Sequence, residues 1–154
     1  MKFNEYELVL SNNKLKLNSI KQFEEYFDCM QSIMLFMVNQ YNIVDSAIEK
    51  SFILSLDSQG NLTGIIQVGI GDHKSSNFSL STGLKFLLLN NAYSCIFIHN
   101  HIKGTELKPS QDDIKFHMMA NQLCSILNIN IAANVILQND EKYYDILLER
   151  EVEI

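Results

Sequence analysis

The sequence has few cysteines, no long apolar run and no leading hydrophobic segment. Its three cysteines (Cys29, Cys95 and Cys124) form no C-x-x-C pair, which argues against a disulfide framework or a cysteine zinc ribbon and favours buried, reduced thiols. The apolar stretch at 33–38 is far shorter than the roughly 20 residues that span a membrane. Because the N-terminus also carries an acidic residue where a signal peptide is apolar, we expect a cytoplasmic protein with no membrane association.

Positive charge is also scarce. Twelve Lys and Arg residues stand against eighteen Asp and Glu, so the formal net charge is −6. Proteins that bind nucleic acid through its backbone neutralise phosphates with cations, so this balance disfavours DNA association without excluding a local basic patch. The hydrophobic content of 47% and the length of 154 residues indicate one globular domain.

The chain shows no repeat, low-complexity tract or linker, and Pro109 is its single proline. Loose alternation around Asn12-Asn13 predicts an N-terminal β-hairpin over residues 1–18, with the rest of the fold, including a leading helix, over 19–154. Ser19 and Gln22 form a capping box, which predicts that this helix begins at Ser19 and runs toward residue 40. The methionine-rich part of the helix is either core or a face that packs on a second copy in a homodimer.

The remaining elements alternate irregularly. Apolar patterns and turn residues predict strands at 52–56, 62–68, 94–98, 129–137 and 142–148, helices at 80–90 and 110–128, and a loop at 69–77. Hairpins at several points argue for a mixed β-sheet flanked by helices, of the α/β class and the α+β type, and against a doubly wound parallel sheet.

Two histidines follow the buried strand at 94–98. His99 and His101 are two residues apart, so on a continuing strand both side chains point to the same face. A catalytic zinc site needs three protein ligands and an open position, and a carboxylate in the first turn of a helix suits the third place. Ser110 is a good N-cap for the following helix, which places Asp112 and Asp113 in that first turn. The apolar stripe of the helix does not distinguish between these two acids.

The stretch from His99 to Ile114, HNHIKGTELKPSQDDI, resembles the RadC-like branch of the JAB/JAMM metalloprotease-like superfamily. Proteins of that branch carry a pattern close to H-N-H-P-S-G, a short loop, and then P-S-x-x-D-I. The resemblance covers about residues 49–148. It departs from the pattern at Ile102-Lys103, where the family has proline and serine, and at Ala133-Asn134, where the family has an Asp-His pair. The loop before Ser110 is also one residue longer.

This resemblance implies a JAB/JAMM-like (cytidine-deaminase-like) sandwich and a zinc-dependent hydrolase that directs water at an amide or isopeptide bond in a protein or peptide. Zn²⁺ would be held by His99, His101 and an aspartate. The Ser-x-x-Asp pattern selects Asp113 and the usual loop spacing selects Asp112; we prefer Asp113, because a loop can absorb an extra residue. Glu49 would be the general base and acid, and Ser110 would support the oxyanion.

Further roles stay open at this point. His117 lies one turn beyond Asp113, where it is a candidate for supporting the site, for a fourth donor, or for a partly exposed helix residue. His73 lies in the loop at 69–77 and is a candidate only if the fold brings that loop to a cleft. The alternative function is a non-catalytic accessory module associated with DNA repair or mobile-element biology, since RadC-like proteins carry a DNA-repair label and a fold does not fix a function.

Overall fold

In the computed structural model, which describes residues 1–71 and 78–154, eight strands form one sheet and three helices pack against it. The strands are β1 (Lys2–Ser11), β2 (Lys14–Glu24), β3 (Glu49–Leu56), β4 (Leu62–Gly71), β5 (Ser94–Asn100), β6 (Asn130–Leu137), β7 (Lys142–Asp145) and β8 (Arg150–Glu153). The helices are α1 (Met30–Tyr41), α2 (Leu80–Leu89) and α3 (Gln111–Ile126). None of these helices of the described residues is long and apolar enough to cross a membrane.

The sheet is mixed, as the sequence predicts. Its strand order is β2-β1-β4-β3-β5-β6-β7-β8. The pairs β1–β4 and β5–β6 are parallel, and the other neighbouring pairs are antiparallel. The predicted α/β class with a mixed sheet is confirmed.

Alternating side chains divide the core into two layers, one on each side of the sheet. Phe52, Leu54 and Ile98 point toward α1, whose residues Met34 and Met37 are fully buried in the same cluster. The methionine-rich segment is therefore core, and a homodimer stays a prediction. On the opposite face, residues of β3 and β5 meet α2 and α3; these residues are Ile53, Cys95 and Phe97. His99 follows Cys95 and Phe97 at a spacing of two residues, so its side chain faces the same layer, which contains α3.

The predicted helix start at Ser19 is wrong. Residues 19–24 belong to β2, where Phe23 pairs with Phe3 of β1, and α1 begins at Met30 after the N-cap Cys29. Ile20 and Phe23 have helical spacing with Phe27 and Met30, but Ile20 is exposed in the strand. Pairing with β1, which the local pattern does not show, outweighs the capping signal.

Two other predicted boundaries differ from the structure. The strand predicted at 142–148 ends at Asp145, and after a turn in which Glu149 has a φ of 53° the chain forms the additional strand β8. The loop predicted at 69–77 begins later, because β4 continues to Gly71. His73 lies outside the described residues. All three cysteines are free, as expected, but Cys29 is exposed, whereas Cys95 and Cys124 are buried.

Candidate metal centre

His99 and His101 lie at the carboxyl end of β5, near the middle of the sheet. β5 is flanked by β3 and β6, and its residues Ile96, Phe97 and Ile98 are almost completely buried. Beyond the end of the strand, the backbone N–H of His101 donates to the carbonyl of Leu137 at 2.9 Å, which continues the pairing with β6. This bond holds the second histidine in register with the first.

Asp113 reaches the histidines from the first turn of α3. Ser110 is the N-cap: its Oγ accepts a hydrogen bond from the Asp113 N–H at 3.2 Å. In return, Asp113 Oδ2 accepts hydrogen bonds from the Ser110 N–H and from the Ser110 hydroxyl, both at 2.7 Å. This reciprocal capping box satisfies orphan donors of the helix and fixes the carboxylate of Asp113 in position.

The three side chains converge on one point. His99 Nε2 lies 3.1 Å from Asp113 Oδ1, and His101 Nε2 lies 3.3 Å from Asp113 Oδ2. The two Nε2 atoms are 3.3 Å apart. Among the residues that the structure describes, these three form the group of His, Cys, Asp and Glu side chains whose ligand atoms all lie within 4.8 Å of one another. Their side chains are 16%, 12% and 19% exposed, so the group is partly buried but open to solvent.

Asp112, the alternative acid, does not join the two histidines. Its side chain is 89% exposed and forms an ion pair with Lys115 at 3.0 Å. It is not part of the converging group of ligand atoms. The structure thus brings together His99, His101 and Asp113, as the Ser-x-x-Asp pattern favours.

The pKa values of this group reflect its crowding. Burial by itself would raise the pKa of Asp113, but hydrogen bonds from His101 and His99, the charge of His99 and the Ser110 hydroxyl hold it well below its usual range. Burial would lower the pKa of His101, but Asp113, the backbone of Glu106 and the charge of Glu49 raise it. Two imidazoles and one ionised carboxylate form a donor set that suits a divalent cation.

Glu49 is the first residue of β3 and lies next to the group without belonging to it. In the antiparallel pair β3–β5, Ser51 is opposite His99, and Glu49 lies two residues before Ser51, in the direction in which His101 follows His99. The charge of Glu49 is one of the causes that raise the pKa of His101, which places the two side chains in the same electrostatic environment. A half-buried carboxylate beside a group that could hold a metal ion is suited to exchanging protons with water there.

Asn100, which the sequence analysis did not single out, anchors the backbone on both sides of Glu49. Its side chain is completely buried; Oδ1 accepts a hydrogen bond from the Lys50 N–H at 2.7 Å, and Nδ2 donates to the carbonyl of Ile48 at 3.2 Å. Its position between the two histidines was the only signal in the sequence. Asn100 therefore links the strand that carries the histidines to the strand that begins with Glu49.

The other candidates lie around the group without joining it. His117 Nδ1 lies 3.0 Å from Asn134 Nδ2, and burial lowers the pKa of His117 although Asp145 opposes this. His117 is not within the group of converging ligand atoms, so it is no fourth donor in this structure. Cys95 is buried beneath the site, where contact with Cys124 and burial raise the pKa of its thiol.

Comparisons with known proteins agree with the sequence pattern. Residues 27–151 match the family described as RadC-like JAB domain. A protein of Chlorobium luteolum named UPF0758 protein is 25% identical to the chain over 95 residues, which are 62% of this chain and 42% of that protein. The chain thus aligns with less than half of this relative's length. The family match covers most of the chain, so the resemblance seen in the sequence is confirmed.

Proposed function

The chain belongs to the RadC-like JAB domain family, and from this premise we propose that it is a zinc-dependent hydrolase that cleaves an amide or isopeptide bond in a protein or peptide substrate. The observation that carries the proposal is the convergence of His99, His101 and Asp113 on one partly exposed point. The histidines come from the end of a strand and the aspartate comes from the start of a helix. His101 and Asp113 are twelve residues apart in the sequence. Such a convergence needs the tertiary fold.

The donor set fits zinc. Catalytic zinc sites use three protein ligands drawn from histidine nitrogens and carboxylate oxygens, and they keep one position open. The three side chains here supply two nitrogens and one carboxylate, and each is between 12% and 19% exposed, which leaves access for water and substrate. When bound, zinc lowers the pKa of water toward about 7 and polarises a carbonyl oxygen.

Glu49 is the proposed proton carrier. Its carboxylate accepts a proton from the attacking water and then delivers that proton to the leaving nitrogen, so one residue acts first as a base and then as an acid. The register of β3 with β5 supports this role, because Ser51 lies opposite His99 and Glu49 is two residues beyond it toward His101. The hydrogen bonds of Asn100 to Ile48 and Lys50 support it further, because they hold the backbone at Glu49 in one position.

Ser110 is the proposed hydrogen-bond donor to the substrate carbonyl. Its hydroxyl points at the site, where it now donates to Asp113 Oδ2 at 2.7 Å. On substrate binding, the same proton can turn to the carbonyl oxygen while the Ser110 oxygen still accepts from the Asp113 N–H. A donor aimed at developing negative charge stabilises the transition state.

The test separates Glu49 from the metal ligands. We expect Glu49→Gln to retain one equivalent of zinc, measured by elemental analysis, and to lose about 10²- to 10⁴-fold of the hydrolysis rate, because Gln cannot carry the proton. The assay incubates zinc-loaded protein with a library of linear peptides and of peptides branched through lysine isopeptide bonds, and counts newly freed α-amino and lysine ε-amino groups by mass spectrometry. Glu7→Gln is the matched control, because Glu7 is exposed on the hairpin and Gln can still accept from Asn18. Equal cleavage by Glu49→Gln and wild type, or none by wild type, would contradict the proposal.

A further inference from the structure

A cavity of about 170 Å³ opens beside the metal-ligand group, on the face of the sheet that α3 covers. Its lining includes His99 and Asp113 on one side and three phenylalanines, Phe78, Phe97 and Phe116, on another. A molecule that occupies the cavity therefore touches both the proposed zinc ligands and an aromatic wall.

The aromatic wall is continuous. The ring centroids of Phe78 and Phe116 are 4.2 Å apart, and those of Phe97 and Phe116 are 5.5 Å apart with the ring planes at 79°. Aromatic rings favour tilted and edge-to-face partners at such distances. A cavity of about 150 Å³ lined by apolar side chains is large enough for benzene, so this cavity has room for one aromatic side chain.

One residue of the lining, Asn134, carries a buried polar atom that has no hydrogen-bond partner among the described residues. Asn134 is 1% exposed, and its Nδ2 lies 3.0 Å from His117 Nδ1, which holds the amide group in place. Burial lowers the pKa of His117, although the charge of Asp145 opposes this. Asn134 Oδ1 is buried without a hydrogen-bond partner among the described residues. An unsatisfied buried acceptor favours a ligand that brings a donor.

We propose that this cavity is the subsite for an aromatic substrate side chain that carries a hydrogen-bond donor, a phenol or an indole, with Asn134 Oδ1 as the acceptor. The proposal rests on the proposed function, because the cavity borders His99 and Asp113 and so places that side chain beside the bond to be cleaved. The phenylalanine rings supply the apolar contact, and Asn134 distinguishes the donor-bearing ring from a plain one.

The first experiment needs no metal. Metal-free protein is titrated with p-cresol and, separately, with toluene, and amide shifts are followed by NMR. We expect both compounds to shift the amide signals of residues that line the cavity. The preference for p-cresol, measured as the Kd of toluene divided by the Kd of p-cresol, should be about threefold to tenfold larger in wild type than in Asn134→Leu. Asn121→Leu, on the exposed surface of α3, is the control and should keep the wild-type preference. An unchanged preference in Asn134→Leu, or no shift in the lining with either compound, would overturn the proposal.

Two further measurements guard against a folding defect and separate this proposal from the hydrolase itself. Phe78→Ala, at a half-buried position, should weaken both compounds because it removes part of the wall. On zinc-loaded wild type, tyrosine hydroxamate should bind at least tenfold more tightly than glycine hydroxamate; equal binding would overturn the subsite. Binding of p-cresol without binding of either hydroxamate would support the ring site and contradict the metal-dependent function.

Discussion

Replacing Asp113 by asparagine is expected to remove zinc binding, whereas the same change at Asp112 is expected to leave it intact. The two acids are adjacent in the first turn of α3. The two variants therefore make the same chemical change at neighbouring positions, and they differ only in where the replaced carboxylate lies. Asp113 meets both imidazoles at 3.1 and 3.3 Å, while Asp112 is 89% exposed and paired with Lys115. Asn at position 113 can still accept from Ser110, so the helix cap survives the change.

The magnitude follows from linkage. Zinc at about 100 times its dissociation constant stabilises the folded state by about 2.7 kcal/mol if the unfolded chain does not bind it. For a domain of this size, that free energy corresponds to a rise in Tm of about 5–11 °C. Wild type and Asp112→Asn should both show this rise over the chelator-treated protein. Asp113→Asn should show a rise near zero, because a neutral amide replaces the charged ligand.

Differential scanning calorimetry with zinc titrated into chelator-treated protein measures these shifts, and calorimetric titration gives the stoichiometry. One equivalent is expected for wild type and for Asp112→Asn. A full zinc-dependent shift in Asp113→Asn, together with its loss in Asp112→Asn, would refute the assignment of the third ligand.

Two further outcomes are expected. In metal-free protein, the pKa of Asp113 is lowered from the ordinary value of 3.8, so the ionised carboxylate stabilises the fold at pH values above 3.8. This stabilisation is lost as the pH falls through the folded-state pKa of Asp113. The raised pKa of His101 makes its contribution present below 6.5 and lost as the pH rises through its own folded-state pKa. Thermal melts in the presence of chelator should therefore show that wild type exceeds Asp113→Asn in Tm by the largest margin between about pH 4 and 6.5. A Tm difference that does not change with pH would contradict the pairing of Asp113 with His101. Gln138 donates to the Thr105 carbonyl at 2.5 Å and to its hydroxyl at 2.9 Å, so Gln138→Ala should speed amide hydrogen exchange in the loop at 102–108 about fivefold. Gln122→Ala, on the exposed surface of α3, is the control and should leave the exchange rate of the loop unchanged. Equal exchange rates in Gln138→Ala and wild type would show that Gln138 does not hold the loop.

The parts of the site that depend on local signals could be predicted from the sequence. The parity of β5 put His99 and His101 on one face, and the N-cap preference of Ser110 set the start of α3. Both features arise within a few residues of the chain. The choice between Asp112 and Asp113 needed the family pattern, because the helix is apolar on several sides and its stripe lies equally close to both acids.

Features that depend on distant partners could not be predicted. The segment at 19–24 has helical spacing and a capping box, but its pairing with β1 makes it a strand. Asn100 binds the backbone at Ile48, which is 52 residues away, and Asn134 meets His117 across the α3–β6 contact. A single sequence does not show that these side chains become buried together, so their roles emerge only from the fold.

His99, His101 and Asp113 are expected to hold one divalent ion and to leave one coordination position open. The most direct measurement is anomalous X-ray scattering on either side of the zinc edge, from a crystal of zinc-loaded protein. We expect a single strong peak at about 2.0–2.2 Å from Nε2 of both histidines and from a carboxylate oxygen of Asp113. A zinc-loaded crystal with no peak among these three side chains, or with its peak at other residues, would show that they are not the zinc ligands.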